Sequence, residues 1–397
     1  MIENNNTATF ITKIKTLRRR APLAAAVALL AGGIAAPASA VVLVDQPDGI
    51  KATMHGSIPV YFSYLSGKDG GEDGSRITSS FNPANVTFGV VAPETQGLTV
   101  SGTFQINSHL GSPSLTQDDN GAFESRVAEL TVSGDFGAVS AGKGFGVFNS
   151  NAIGDVGSAK GIGRVFSGAD FGNATGGRIG AGYVYANFNP HVVYATPDMG
   201  GLSAKIAIIN PEEPNDGGAI ETKVPRVEGQ LTYAADMDGG NFKVWTGFLH
   251  QKLTVVASDY SYNLQGYDVG MRLGAGGFGF TANYTKTKGI GADGLYGNTI
   301  NDADVDGSQW YVEPTFTFGK TTLGVSYGEG DQDARSAIGG TSIGAAPNVT
   351  NKLSMAFARY QLTSYLTLMG EYSKFETEGN TAEPNYDLVG LGAQLDF

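Results

Sequence analysis

Between residue 50 and the final Phe397 the chain repeats one pattern, short runs in which apolar and polar side chains alternate, and no other feature restricts its fold as strongly. Successive residues of a strand point to opposite faces, so a period of two means a strand with one apolar and one polar face. In residues 97–107, Leu98, Val100, Phe104 and Ile106 share one parity, and Thr99, Ser101, Thr103, Gln105 and Asn107 the other. In residues 50–64, Ile50, Ala52, Met54, Ile58, Val60, Phe62 and Tyr64 oppose Lys51, Thr53, His55, Ser57 and Ser63. Sixteen such runs can be marked, near 50–64, 84–92, 97–107, 123–132, 136–143, 180–196, 202–210, 224–234, 241–252, 263–274, 278–288, 308–318, 321–329, 352–362, 366–376 and 387–397. Runs of about 9 to 11 residues suit a tilted crossing of a bilayer.

Alternation alone is equally compatible with a soluble sandwich. The links decide. Seven short ones (93–96, 133–135, 197–201, 236–240, 275–277, 319–320, 363–365) interleave with eight long ones (65–83, 108–122, 144–179, 211–223, 253–262, 289–307, 330–351, 377–386). An even number of antiparallel strands with short turns at one rim and long loops at the other is the layout of an outer-membrane barrel. A sandwich has no reason to segregate its link lengths. The expected fold class is therefore all-β, a transmembrane antiparallel β-barrel. Its polar parity would line a wet interior: Gln309, Tyr311, Glu313, Thr315 and Thr317 oppose Trp310, Val312, Phe316 and Phe318, and Arg226, Glu228, Gln230 and Thr232 oppose Val227 and Leu231. The last run must pair with the first, because no backbone edge can face hydrocarbon.

The mean hydropathy of −0.09 does not argue against a membrane location, since averaging lipid-facing with water-facing positions hides the apolar face. Residues 1–40 read as an export signal: Lys13, Lys15, Arg18, Arg19 and Arg20 precede an alanine-rich apolar run that closes at Ala38-Ser39-Ala40. That run is too short for a membrane anchor, so the expected organisation is a signal peptide at 1–40 and one barrel at 41–397. Without cysteine the chain has no disulfide, thiolate metal site, lipidated amino terminus or cysteine nucleophile. Removing the five basic residues and Glu3 of the signal leaves 21 basic against 37 acidic side chains, a net charge of −16, which argues against nucleic acid as a partner.

Three stretches then carry a resemblance. Val41 to Gly56 places Asp48-Gly49 just before the first strand, Arg126 to Gly142 leads into the longest link, and Tyr194 to Leu202 forms a turn with Pro197, Asp198, Gly200 and Gly201. With the terminal Phe397 and the strand count, they make the chain from Val41 to Phe397 resemble the general diffusion porins of Gram-negative bacteria. The resemblance implies a homotrimer of 16-stranded barrels in the outer membrane, among lipid and lipopolysaccharide, with Phe397 read by the barrel assembly machinery. It implies a water-filled channel for passive diffusion of small hydrophilic solutes and ions. It also implies a third loop folded into the lumen, its acidic residues facing a basic ladder on the wall. Arg126 stands where that ladder has one arginine, but the positions on strands one, two and six hold Ser57, Asn85 and Asn187. Arg126 moreover shares parity with Leu130 and Val132, a conflict that a bulge or a protomer interface would resolve. A substrate-selective channel and a plugged structural or adhesive barrel remain as alternatives.

The link from Gly144 to Ile179 is the candidate third loop. A 16-stranded barrel is too wide to sieve small solutes unaided, and links of this length are commonly functional or disordered. Phe145, Val147, Phe148, Ile153, Val156, Ile162, Val165, Phe166 and Phe171 need a surface to pack on, and the inner wall is the expected one. Asp155 and Asp170 are the candidate acids of the constriction, opposed by Arg126 and Arg178, with Lys160 and Arg164 able to face either way. The long loops carry Asp69, Glu72, Asp73, Asp118, Asp119, Glu212, Glu213, Asp216, Asp331, Asp333, Glu376, Glu378 and Glu383, so the mouth is expected to draw cations.

Three sharper motifs stand out in the sequence. Asp302, Asp304, Asp306, Gly307 and Glu313 match the spacing of a calcium loop, though Glu313 should project from a strand into the lumen and the flanking helices are missing, so a solvated acidic loop is the competing reading. Gly274 to Gly279 fits G-x-G-x-x-G letter for letter, but between two alternating strands it reads as a hairpin. His55, His109, His191 and His250 show no spacing that would place one beside a serine, so no enzymatic activity and no other cofactor is expected.

Overall fold

The computed structural model describes residues 40–68, 71, 73–108, 110, 124–166, 175–211, 220–294, 302–379 and 385–397. Sixteen strands close into one antiparallel barrel. They are β2 (Lys51–Gly67), β4 (Ala84–Val91), β5 (Thr99–Ser108), β6 (Glu124–Gly134), β7 (Gly137–Phe145), β8 (Phe188–Ala195), β9 (Leu202–Ile209), β11 (Arg226–Met237), β12 (Gly240–Val255), β13 (Tyr260–Ala275), β14 (Phe278–Lys288), β15 (Asp306–Phe318), β16 (Thr321–Gln332), β17 (Val349–Gln361), β18 (Leu366–Glu378) and β19 (Tyr386–Asp396). β19 closes on β2 in the register Tyr386↔Gly67 to Asp396↔Ser57. Phe397 completes the seam, its amide donating to Gly56 O at 3.0 Å and its carbonyl accepting from Gly56 N at 2.7 Å. A Cβ at position 56 would lie 2.8 Å from the Phe397 ring, so the seam closes only over a glycine.

Parity sorts the side chains as the alternation requires. Ile58, Val60, Phe62 and Tyr64 of β2 are exposed on the outer surface, while Ser57, Tyr61 and Ser63 are buried on the inner one. On β15 Phe316 and Phe318 face out, and Gln309, Tyr311 and Glu313 are buried. Exposure of one apolar face in every strand is costly in water and favourable in hydrocarbon, where the closed ladder leaves no backbone group unpaired. Among the described residues no helix is long and apolar enough to cross a membrane; the strands are what crosses.

Among the described residues three short strands lie outside the alternation. β1 (Val41–Asp45) pairs with Lys51–Met54 of β2, the part of that edge which β19 stops short of. β3 (Gly74–Thr78) pairs with Tyr61–Leu65 of β2 beyond the end of β4, and β10 (Ile220–Glu221) pairs with the end of β12 beyond β11. Each covers a stretch of strand edge that would otherwise be open.

Two expectations change. The run expected at 180–196 becomes a strand only from Phe188, because Gly180, Gly182 and Asn187 take positive φ (72°, 153° and 57°) and turn the chain before it can extend. The parity conflict on β6 is a bulge: Gln105 pairs with Val127 but Ile106 with Ser125, so Arg126 is the extra residue and parity reverses there. The G-x-G-x-x-G match is a hairpin turn between β13 and β14, with Gly276 and Gly277 at φ 55° and 87°.

Candidate functional site

Between β7 and β8 residues 146–166 and 175–187 are described, and six backbone amides of the first stretch find carboxylate partners on the inner face of the wall. Three wall glutamates each accept from two consecutive amides. Glu228 of β11 accepts from Val147 (2.7 Å) and Phe148 (2.8 Å), Glu313 of β15 from Val156 (2.6 Å) and Gly157 (3.1 Å), and Glu371 of β18 from Ile162 (3.1 Å) and Gly163 (2.8 Å). All three are buried, and a buried carboxylate must be matched by donors or positive charge. Arg226 Nε stands 2.9 Å from Glu228, Arg359 Nη2 stands 3.4 Å from Glu371, and the charge of Arg178 acts on Glu313.

Tyrosines add further bonds. Tyr311 Oη donates to Ala152 O (2.6 Å), Tyr61 Oη donates to Lys160 O (2.9 Å), and Tyr386 Oη accepts from Val165 N (2.6 Å). The apolar residues of the segment pack as the sequence demands. Phe148 joins Leu249, Leu253 and Leu264 of the wall, and Ile162 and Val165 join Tyr61, Leu353, Met369, Phe375 and Leu388. Gly163 sits at φ 63° with Gly177 O 2.3 Å from where a Cβ would be, so the chain reverses there only without a side chain.

The sequence-selected residues fall into different roles. Asp155 precedes the short helix α1 (Val156–Ala159) and caps it, accepting from Ser158 N and Ser158 Oγ at 2.8 Å each, with Arg178 Nε 3.9 Å away. It is only 1% exposed, so it is an internal capping group rather than a free acid at a constriction. Burial raises its carboxyl above the ordinary value, with Arg178 and the Ser158 donors pulling it down. A carboxyl raised on folding stabilises the folded state fully below its unfolded pKa and loses that contribution as pH rises through the folded one. Asp155→Asn keeps a capping oxygen and removes the charge. It is expected to abolish that pH dependence of the segment's stability and to leave the reversal potential in a salt gradient unchanged, which a bilayer recording at two pH values checks.

Arg178 is fully buried, donating to Ala181 O (3.3 Å) and Leu353 O (3.2 Å). Arg164 is buried as well, 3.2 Å from Asp293 Oδ1, with its guanidinium over the rings of Phe166 and Phe375. Lys160 is half-exposed and 3.3 Å from Asp396. Arg126 pairs with Glu124 (3.0 Å) and lies over Phe188, so the structure does not bring it to Asp155. Asn85 Nδ2, at one ladder position of the resemblance, donates to Ser57 Oγ at another at 3.0 Å, and neither residue carries a charge. Asp170 lies outside the described residues, as do Asp69, Glu72, Asp118, Asp119, Glu212, Glu213, Asp216 and Glu383. Of the remaining mouth acids, Glu376 and Glu378 are offset by Lys374 (2.7 Å) and Lys352 (2.8 Å).

The calcium spacing is not assembled as a ligand set. Glu313 is committed to the amides of Val156 and Gly157, and Asp304 pairs with Lys288 (3.2 Å) and accepts from Tyr260 Oη. Among the described residues no group of three or more His, Asp or Glu side chains could hold a metal ion. Added calcium is therefore expected to leave the thermal midpoint and the proteolysis of residues 302–306 unchanged; a saturable shift in either would restore the site.

Sequence reasoning singled out Glu313 for calcium and missed what Glu228, Glu313 and Glu371 do together. The available signal was a glutamate on the polar parity of three separate strands. It also passed over Lys205, Lys243 and Arg272, all on inward parity.

The sequence profile of the Gram-negative porins matches residues 24–380. The chain belongs to the Gram-negative porin family. As a porin it is an outer-membrane channel for passive diffusion, and the family and its fold are those of non-enzymatic channels. No curated protein matches its sequence. Among solved structures, the porin is similar to the outer membrane channel DcaP of Acinetobacter baumannii at 15% identity, with a TM-score of 0.65 over 90% of this chain and 100% of that one. It is similar to the anion-selective porin from Comamonas acidovorans at 16% identity and a TM-score of 0.63, covering 88% and 100%. It is also similar to the trimer form of OmpT, an outer membrane protein of Vibrio cholerae, at 14% identity and a TM-score of 0.55, covering 88% and 100%. At these identities the likeness is one of fold.

Proposed function

We propose that the segment between β7 and β8, through its described residues 146–166 and 175–187, crosses the lumen and sets the size limit of a channel for small hydrophilic solutes and ions. The observation that carries this reading is the set of three buried glutamates, on β11, β15 and β18, each holding two amides of the segment. Those strands lie well apart around the barrel, and a chain fastened at three such places cannot hang free at the rim. Recording from purified protein in a planar bilayer tests it. Stepwise, ohmic conductance with a cutoff for sugars supports a sieve, and silence supports a plugged barrel.

The porin is a homotrimer, as the trimer form of OmpT suggests for the fold. It sits among outer-membrane lipid and lipopolysaccharide and offers Phe397 to the assembly machinery. The signal is cleaved after Ala40, which amino-terminal sequencing of the outer-membrane form checks.

A further inference from the structure

We propose that Lys205, Lys243 and Arg272 form a subsite on the inner wall for small anions carrying two negative charges. The inference rests on the reading of the lumen as a diffusion path and names a solute class that the path favours.

The three residues occupy inward positions of β9, β12 and β13, within a run of neighbouring strands. Lys243 and Arg272 are direct register partners, and the charges of both Arg272 and Lys205 act on Lys243. Like charges opposite one another on adjacent strands destabilise a sheet. Elsewhere on the wall and its segment the positive charges are answered: Arg226 by Glu228 at 2.9 Å, Arg164 by Asp293 at 3.2 Å, Arg359 by Glu371 at 3.4 Å and Arg178 by Asp155 at 3.9 Å. None of the trio makes an ion pair with a described carboxylate. Two acids do reach them at longer range. Glu129 acts on Lys205 but is bound to His191 Nε2 at 3.0 Å, and the field of Arg272 reaches Asp155, which Arg178 already neutralises.

In a mature chain of net charge −16, acidic partners are abundant. Three unanswered cations on one wall therefore need a counter-ion that comes and goes. Their donors are partly pre-arranged. Arg272 Nη2 donates to Gly154 O at 2.6 Å, Lys243 donates to Asn151 Oδ1, and both contacts hold the heads beside the inward segment. Arg272 Nε is buried with no hydrogen-bond partner. An oxyanion with two charges could satisfy the remaining donors and the excess charge together, where a chloride ion supplies one charge and no fixed geometry.

The test uses the full-length porin in a planar bilayer with chloride as the current carrier and inorganic phosphate as the probe. Phosphate at a pH where it carries two charges is expected to block the chloride current saturably. The double variant Lys243→Gln/Arg272→Gln is expected to weaken that block about tenfold or more, and to move the reversal potential toward cations. Lys205→Gln should do the same to a smaller degree, while Lys286→Gln, an exposed lysine on the outer surface of β14, should leave it alone. Assembly of every variant is checked by its heat-dependent mobility in detergent gels; should the double variant not assemble, Lys205→Gln alone decides. A silent wild-type protein would overturn the diffusion reading itself. An ohmic channel in which phosphate blocks no better than chloride, or in which the charge-removing variants keep the block, would overturn the subsite alone.

Discussion

Removing residues 150–170 is expected to raise single-channel conductance about twofold or more and to admit sugars that the intact protein excludes, because a bare 16-stranded barrel is an open aqueous channel. The deletion takes out α1, the segment's contacts with Glu313 and Glu371, and Ile162 and Val165 from their cluster with the wall. It leaves the wall's own ladder complete, since β18 pairs with β17 and β19, and β15 with β14 and β16, along their lengths. The barrel should therefore still close, with Phe397 bonded to Gly56. Loss of assembly would show that the segment props the wall apart. Unchanged conductance in an assembled barrel would place the segment outside the ion path and sink the proposed sieve.

How much of this was legible in the sequence divides along a physical line. The wall was readable because strand periodicity is local: Leu98, Val100 and Phe104 announce an outward face without reference to anything distant, and all sixteen runs became strands of the barrel. The small strands β1, β3 and β10 were not readable, since each exists to cover an edge whose length depends on where other strands stop. The bulge at Arg126 was visible as a parity conflict, but choosing between a bulge and an interface needed the pairing of β5 with β6. The site was harder still. That a long apolar link must pack somewhere follows from Phe148 and Ile162 themselves, whereas the partner of each charge does not. The sequence suggests Asp155 and Arg178 as opposed charges at a constriction, whereas they are neighbours within the segment, 3.9 Å apart and buried together. Which acid meets which base is set by the path of the segment across strands far apart in sequence, and no period in the chain encodes it.

The second large effect is expected at Glu371, where one side chain accepts four donors. Ile162 N and Gly163 N bind it from the segment at 3.1 and 2.8 Å, Ser373 Oγ from its own strand at 2.8 Å, and Arg359 Nη2 from β17 at 3.4 Å. Glu371 is buried at 5% exposure, so Glu371→Ala leaves two amides without an acceptor and a guanidinium without its carboxylate. Each stranded amide costs about 1–3 kcal/mol, and breaking a buried ion pair by removing one partner costs about 3–5 kcal/mol. The barrel need not bear that cost, because its ladder does not run through the side chain. The segment can shed it by lifting Ile162 and Gly163 off the wall and letting water reach Arg359. Glu371→Ala should accordingly raise the rate of amide hydrogen exchange at residues 156–166, bring a flickering, larger conductance, and leave thermal unfolding of the barrel nearly in place. Glu371→Gln keeps an acceptor oxygen and the shape but not the charge, so its exchange rates should fall between those of the wild type and the alanine variant. Val147 and Phe148, held by Glu228 on the far side of the barrel, should stay protected in both. If Ile162 and Gly163 remain as protected in Glu371→Ala as in the wild type, the carboxylate is not what fastens the segment, and packing of Ile162 and Val165 against Tyr61, Leu353 and Phe375 would have to hold it alone.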